Sequence, residues 1–194
     1  RGVGGDGLAV TRWDGFVYQN IFNNNHRYGI AGYSPNAAVS VVGNRIEWNH
    51  RGGLYLDDGH HYHINGNYFD RSGGPAVHIH GTEQGSCDTF SITGNLLYRS
   101  GARAEPDSYQ CSHMLLEHVA GIVVTGNTMH VGVNDSGEGQ RSPSYGIVYR
   151  GLSDSVIKDN VMHSGATRRL LEDLGAHGPN AVVKDNVGTL APAR

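Results

Sequence analysis

Two aspartates, a run of histidines, and a later glutamate and arginine are the residues of this 194-residue chain best equipped for chemistry. Asp57 and Asp58 close the alternating stretch "LYLDD", and His60, His61 and His63 follow at once. His78 and His80 stand two apart in "VHIH", Glu117 ends "MLLE", and Arg150 ends "IVYR". Two carboxyl groups can divide acid and base work in glycoside hydrolysis. A histidine can tune a carboxyl or act as acid or base itself. An arginine can grip a uronate carboxylate with two parallel hydrogen bonds. Two histidines on one strand face with a carboxylate also make a zinc- or copper-type donor set. Neither Cys-x-x-Cys nor His-Glu-x-x-His accompanies it.

Such residues act together only if the chain brings them together, and a repeat does this. The segments "FVYQNIF", "VSVVGNRI", "YHINGNYF", "FSITGNLL", "IVVTGNTM", "SVIKDNVM" and "AVVKDNVG" share one frame. Its asparagines are Asn20, Asn44, Asn67, Asn95, Asn127, Asn160 and Asn186, spaced by 24, 23, 28, 32, 33 and 26 residues. A period in this range marks a solenoid. Three residues before each asparagine stand Val17, Val41, Ile64, Ile92, Val124, Ile157 and Val183. Two residues after stand Phe22, Ile46, Phe69, Leu97, Met129 and Met162, then Gly188. Short β-branched segments alternating with polar residues are strands. Asparagine suits the corner between two of them, because it tolerates the left-handed region and bonds its own backbone. A second apolar pair in each copy, such as Leu54 and Leu56 or Val77 and Ile79, adds another strand. Stacked at about 4.8 Å, the asparagines form a ladder of side-chain amides.

Aligning the copies on the asparagines lines up the outer wall. Asp57, Glu117 and Arg150 each stand ten residues before one, and "VHIHG" matches "LYLDD" strand for strand. The expected column is therefore Asp57, His80, Glu117, Arg150, with Tyr55, His78, Leu115 and Val148 beside it. Asp57 and Glu117 are two rungs apart, about 9–10 Å between backbones, within side-chain reach of the carboxyl separation of an inverting hydrolase. In this reading Asp57, His80 and Glu117 are catalytic, and Arg150, Tyr55 and His78 bind substrate. A lyase would use Arg150 or His80 to take the proton beside a carboxylate, with Asp57, Asp58 and Glu117 holding calcium. His63 points outward, since Tyr62 and Ile64 point in. The excursions 98–113 and 131–145 are long enough to wall a groove over the column.

The Gly-Asn corners and inward Ile/Val/Phe columns resemble the right-handed parallel β-helix of the pectate-lyase-like superfamily, from about Leu8 to Val187. The resemblance implies an all-β single-domain coil of about seven rungs acting on polysaccharides. Of the polygalacturonase-type motifs only the Asp-Asp pair, at Asp57 and Asp58, has a counterpart; the pectate-lyase and alginate-epimerase motifs have none. The implied activity is that of a polysaccharide hydrolase or lyase. The contrasting reading is a rigid rod, a segment of a spike, fibre or adhesin, whose aromatic residues bind glycan without chemistry.

Other features set further expectations. The 29 glycines and the absence of amphipathic helical periodicity exclude a helical bundle, and a net charge of −3 disfavours nucleic acid as partner. No apolar run reaches the length of a membrane span. Arg1 opens the chain and "GDGLAV" begins mid-rung, which suggests a piece of a longer protein whose walls or rung ends can self-associate. "ATRRLLEDLG", residues 166–175, puts Leu170, Leu171 and Leu174 on one helical face with Gly175 as cap, so a helix is expected there. Cys87 and Cys111 bracket one excursion. A disulfide between them would suit a secreted protein and stabilise by roughly 3–4 kcal/mol.

Overall fold

A computed structural model describes residues 4–83, 87–133 and 140–192. Its strands fall into three seven-stranded sheets, each built from every third strand of the chain, and the strand pairings within them are parallel. Each turn of the coil gives one strand to each sheet, so the chain is a parallel β-helix of about seven rungs, as the repeat predicts. The sheet that carries the candidate site contains Leu8–Val10, Tyr28–Gly32, Gly52–Asp57, Val77–His80, Ser112–Glu117, Tyr145–Arg150 and Arg169–Asp173. The second sheet holds the strands that precede the repeat asparagines, and the third holds the short strands that follow them.

Three inward columns form the core. Ile30, Leu54, Val77, Met114 and Ile147 come from the site sheet, Val41, Ile64, Ile92, Val124 and Ile157 from the second, and Ile46, Phe69, Leu97, Met129 and Met162 from the third; all are fully buried or nearly so. The alternation of period two fixes register, because a one-residue slip would turn each column out to water. Where the third sheet bends into the site sheet the interior narrows. A β-carbon on Gly53 would sit 2.4 Å from the Ala76 carbonyl oxygen and 2.7 Å from the Phe69 ring, so only glycine fits there.

The asparagine ladder runs through the corner between the second and third sheets. Asn67 donates its backbone N–H to Asn95 Oδ1 at 2.9 Å and its Nδ2 to the same oxygen at 3.0 Å. Asn95 repeats both bonds to Asn127, at 3.0 and 2.9 Å. The residue in left-handed backbone is the one before the asparagine: Gly43, Gly66, Gly94 and Gly126 have φ of 61–66°, and Gln19, Asp159 and Asp185 take the same region. Glycine thus turns the corner and asparagine bonds across it, which corrects the expectation that asparagine does both.

Two further expectations fail. Residues 166–175 form no helix: Val161–Ala166 and Arg169–Asp173 are strands, and Leu171 pairs with Ile147. Strand pairing extends the site sheet and satisfies backbone groups that an isolated short helix would leave to its own caps, so tertiary context overrides the helical pattern. Cys87 and Cys111 are free buried thiols. Cys87 follows the far end of a site-sheet strand, whereas Cys111 precedes the near end of the next, roughly 17 Å away along the strand direction. Cys111 Sγ lies 3.7 Å from the Gly101 carbonyl oxygen and 3.3 Å from the Ser144 nitrogen.

Candidate functional site

The wall column assembles in the predicted register. Asp57 pairs with His80, His80 with Glu117, and Glu117 with Arg150, while Tyr55, His78, Leu115 and Val148 form the next outward column. These side chains leave the sheet where its strands end and the chain turns toward the second sheet. Parallel pairing locks their backbones, so only side-chain direction decides which of them meet.

They meet at Glu117. His78 Nε2 lies 2.8 Å and His80 Nδ1 3.3 Å from Glu117 Oε2, and Arg150 donates Nη2–H to Glu117 Oε1 at 2.6 Å. Glu117 is only 8% exposed. Burial by itself would raise its carboxyl. The hydrogen bond and charge of His78, the Arg150 guanidinium and the His80 hydrogen bond outweigh burial and hold the carboxyl at about 2. It is therefore a carboxylate at neutral pH, with no proton to give. His78 is buried, whereas the His80 and Arg150 side chains keep 38% and 43% exposure. A carboxylate that accepts Nδ1–H from His80 leaves Nε2 of that ring as the basic nitrogen.

Asp57 does not join this cluster. Its carboxylate stands beside Tyr55, where it adds to the effect of burial and raises the hydroxyl to about 12. Tyr55 stacks on Tyr28 at 4.7 Å between ring centres and meets the His78 ring edge-on at 5.2 Å. Tyr28 and Tyr33, 6.2 Å from Tyr55, complete an aromatic platform beside the cluster. Sequence reasoning did not single out these two, although Tyr28 opens the repeated "YGI" start of a site-sheet strand. Asp58 adopts left-handed backbone, and its Oδ1 is buried with no hydrogen-bond partner. The three carboxylates proposed for calcium do not converge. Among the described residues, His78, His80 and Glu117 are the group of three or more potential ligands whose donor atoms lie within 4.8 Å of one another. Two nitrogens and one oxygen do not fit calcium, which takes six to eight oxygens.

The excursions lie elsewhere than expected. Both lead into the near ends of site-sheet strands, whereas the column stands at the far ends. Residues 134–139 of the second excursion lie outside the described residues. Tyr109 of the first packs edge-on against Tyr145, 5.4 Å between ring centres, and Leu115, Tyr145 and Val148 form a small apolar cluster outside the coil. The open space beside the column is instead a cleft of about 350 Å³ at the next corner, bounded by Thr82, Asp88, His118 and Ser153. His63 points outward as expected and is exposed.

A three-sheet parallel coil with a polar cluster on its outer wall defines the class. The chain belongs to the right-handed beta helix region family, whose model matches residues 1–102 and 33–187. It is similar to a solved structure, an alginate lyase from Paenibacillus sp. str. FPU-7, with a TM-score of 0.52 and 11% identity over 87% of this chain and 56% of that one. This chain thus spans little more than half of that protein's length, and a likeness at this identity shows the fold.

Proposed function

We propose that this protein cleaves an acidic polysaccharide by β-elimination at the far end of the site sheet. The observation that carries the reading is the Glu117 carboxylate held at once by His78, His80 and Arg150. It argues against a hydrolase, which needs a protonated carboxyl beside the leaving oxygen. Glu117 is ionised and fully engaged, and Asp57 faces Tyr55. The same arrangement suits proton abstraction. Glu117 orients His80 so that Nε2 takes the proton next to a uronate carboxylate. Arg150, with one nitrogen on Glu117, offers its exposed edge to that carboxylate and stabilises the charge that develops there. The carbon–hydrogen electron pair forms a carbon–carbon double bond, and the glycosidic carbon–oxygen bond breaks. The leaving oxygen takes the proton that burial and Asp57 keep on Tyr55. The partly exposed Tyr28–Tyr55 pair, already stacked ring on ring, packs against a neighbouring sugar ring. The structural neighbour is named as an alginate lyase, which supports an acidic glycan as the partner. A polymer of this kind implies work outside the cell.

The assay is the ultraviolet absorbance of the unsaturated uronate, recorded with a panel of polyuronates. Wild-type protein should produce it on at least one of them, and His80→Ala should lower the rate at least about a hundredfold while retaining glycan binding. No signal on any polyuronate would refute cleavage. Glycan binding without cleavage, equal in wild type and His80→Ala but weakened in Tyr55→Ala, would establish the rod reading, for which the Tyr28–Tyr55 stack is the supporting observation.

A further inference from the structure

We infer that His78 Nε2, His80 Nδ1 and Glu117 Oε2 form a binding site for a zinc-type divalent transition ion, with an open fourth position toward solvent. The site shares this cluster with the proposed cleavage, and the spacing of its three donor atoms supports it whether or not the protein cleaves a glycan. Zinc is held by two or three imidazoles and a carboxylate at about 2.0–2.2 Å, which sets adjacent donor atoms of a tetrahedral site roughly 3.3 Å apart. Glu117 Oε2 lies 2.8 Å from His78 Nε2 and 3.3 Å from His80 Nδ1, and the three donor atoms fall within 4.8 Å of one another. The ligands come from two adjacent strands whose backbones pair His80 with Glu117 directly. His78 and His80 share a strand face at two-residue spacing. No loop has to close to assemble them.

The surroundings match those of a metal ligand set. Arg150 holds the other carboxylate oxygen, Oε1, and so aims Oε2 at the imidazoles. The edge-on contact with Tyr55 fixes the His78 ring. Such supporting partners commonly orient metal ligands. The half-exposed His80 side leaves a path for the ion and room for a water in the fourth position. An ion bound through His80 Nδ1 takes that nitrogen's lone pair, so the neutral ring must carry its single proton on Nε2 instead of Nδ1. Bound zinc would therefore remove His80 as a base.

Isothermal titration of chelator-dialysed protein with zinc chloride tests the site without any glycan. One ion per chain is expected. His78→Ala and His80→Ala should each weaken binding at least about tenfold, with circular dichroism confirming the fold, whereas His60→Ala and His63→Ala should bind as wild type does. Absence of binding would overturn the inference, as would binding that persists undiminished in both His78→Ala and His80→Ala. The cleavage assay, run on chelator-dialysed protein, separates the two ideas: cleavage with no zinc binding sinks the metal site alone, and zinc binding with no cleavage by the metal-free protein sinks the lyase alone.

Discussion

Removing one amide from the middle of the asparagine ladder should cost far more than removing one from its end. Asn95 is 1% exposed and its side chain makes four hydrogen bonds. It accepts from the Asn67 backbone N–H and from Asn67 Nδ2, and it donates to the Ile64 carbonyl oxygen at 3.0 Å and to Asn127 Oδ1 at 2.9 Å. In Asn95→Ala some of these partners keep another bond. Asn67 Nδ2 still reaches the Val41 carbonyl oxygen, and Asn127 Oδ1 still accepts the residue-95 backbone N–H. The Asn67 N–H is left with no acceptor, and the Ile64 carbonyl loses its amide donor. A stranded buried polar group costs about 1–3 kcal/mol, so about 3 kcal/mol is expected in total. For a chain of this size that lowers the melting temperature by roughly 6–12 °C. Asn186 ends the ladder, half-buried, with water able to replace what it gives Asn160, so Asn186→Ala should cost under about 1 kcal/mol. Asn95→Asp should be no milder than Asn95→Ala, because it keeps the shape but turns a buried negative oxygen toward two others. The assay is urea denaturation followed by circular dichroism. Equal losses in Asn95→Ala and Asn186→Ala, or an Asn95→Ala protein within about 0.5 kcal/mol of wild type, would show that the ladder bonds are replaceable by solvent.

Three more perturbations test other parts of the structure. Glu117→Gln leaves Arg150 without its anion, so chelator-dialysed protein should lose about 2 kcal/mol at neutral pH, while Asp57→Asn should stay within about 0.5 kcal/mol in the same denaturant titration. His113 is fully buried, and burial lowers it from the ordinary 6.5 to about 3. Between those values the unfolded chain binds a proton that the native state refuses, so stability should fall as pH drops from 6.5 toward 3, by up to about 1.4 kcal/mol per pH unit. His113→Phe should flatten that limb of the stability–pH curve measured by thermal melting. Burial raises the Cys87 thiol to about 12, so iodoacetamide should leave it unmodified in native protein at pH 8, and reductant should not shift the melting temperature; a mass increase at Cys87 would contradict its buried placement.

The register of the wall was legible because it depends only on counting. Strand side chains alternate with period two, and the asparagine marks a fixed corner, so Asp57, His80, Glu117 and Arg150 had to stack. Their partners were not legible. Whether Glu117 leans toward His78 or toward Asp57 depends on side-chain direction across the strands, which spacing does not encode. His78 was thus read as a flank of the column and is instead bonded to its central carboxylate at 2.8 Å. The helix expected over 166–175 failed for a related reason. "RRLLEDL" satisfies a helical pattern locally, but Leu171 finds a ready strand edge at Ile147, and sequence periodicity does not report an open edge. The cysteines misled because only a full turn stacks one residue on another: Asp88 pairs with Ala120, 32 residues on, so Cys111, 24 residues after Cys87, stops eight short of the position above it.

Why the polar cluster sits where it does follows from what the coil leaves free. Along the inward columns each rung must supply an apolar residue of similar volume, since a mismatch opens a cavity or forces strain against both neighbours. Leu56, Ile79, Leu116 and Tyr149 meet that demand at the very positions preceding Asp57, His80, Glu117 and Arg150. The outward column carries no such volume constraint, so successive rungs can present an acid, an imidazole, an acid and a guanidinium at about 4.8 Å spacing. Each rung contacts only its neighbours, so this variation disturbs nothing farther along the coil. The same spacing limits what the wall can do. Side chains one rung apart can touch, as His80 and Glu117 do, and so can those reaching back along a neighbouring strand, as His78 does. Asp57 and Glu117, separated by the His80 strand, remain apart even though their backbones share a column. Chemistry on such a surface therefore favours devices assembled from adjacent rungs, an oriented imidazole or a two-nitrogen, one-oxygen ligand set, over a pair of distant carboxyls.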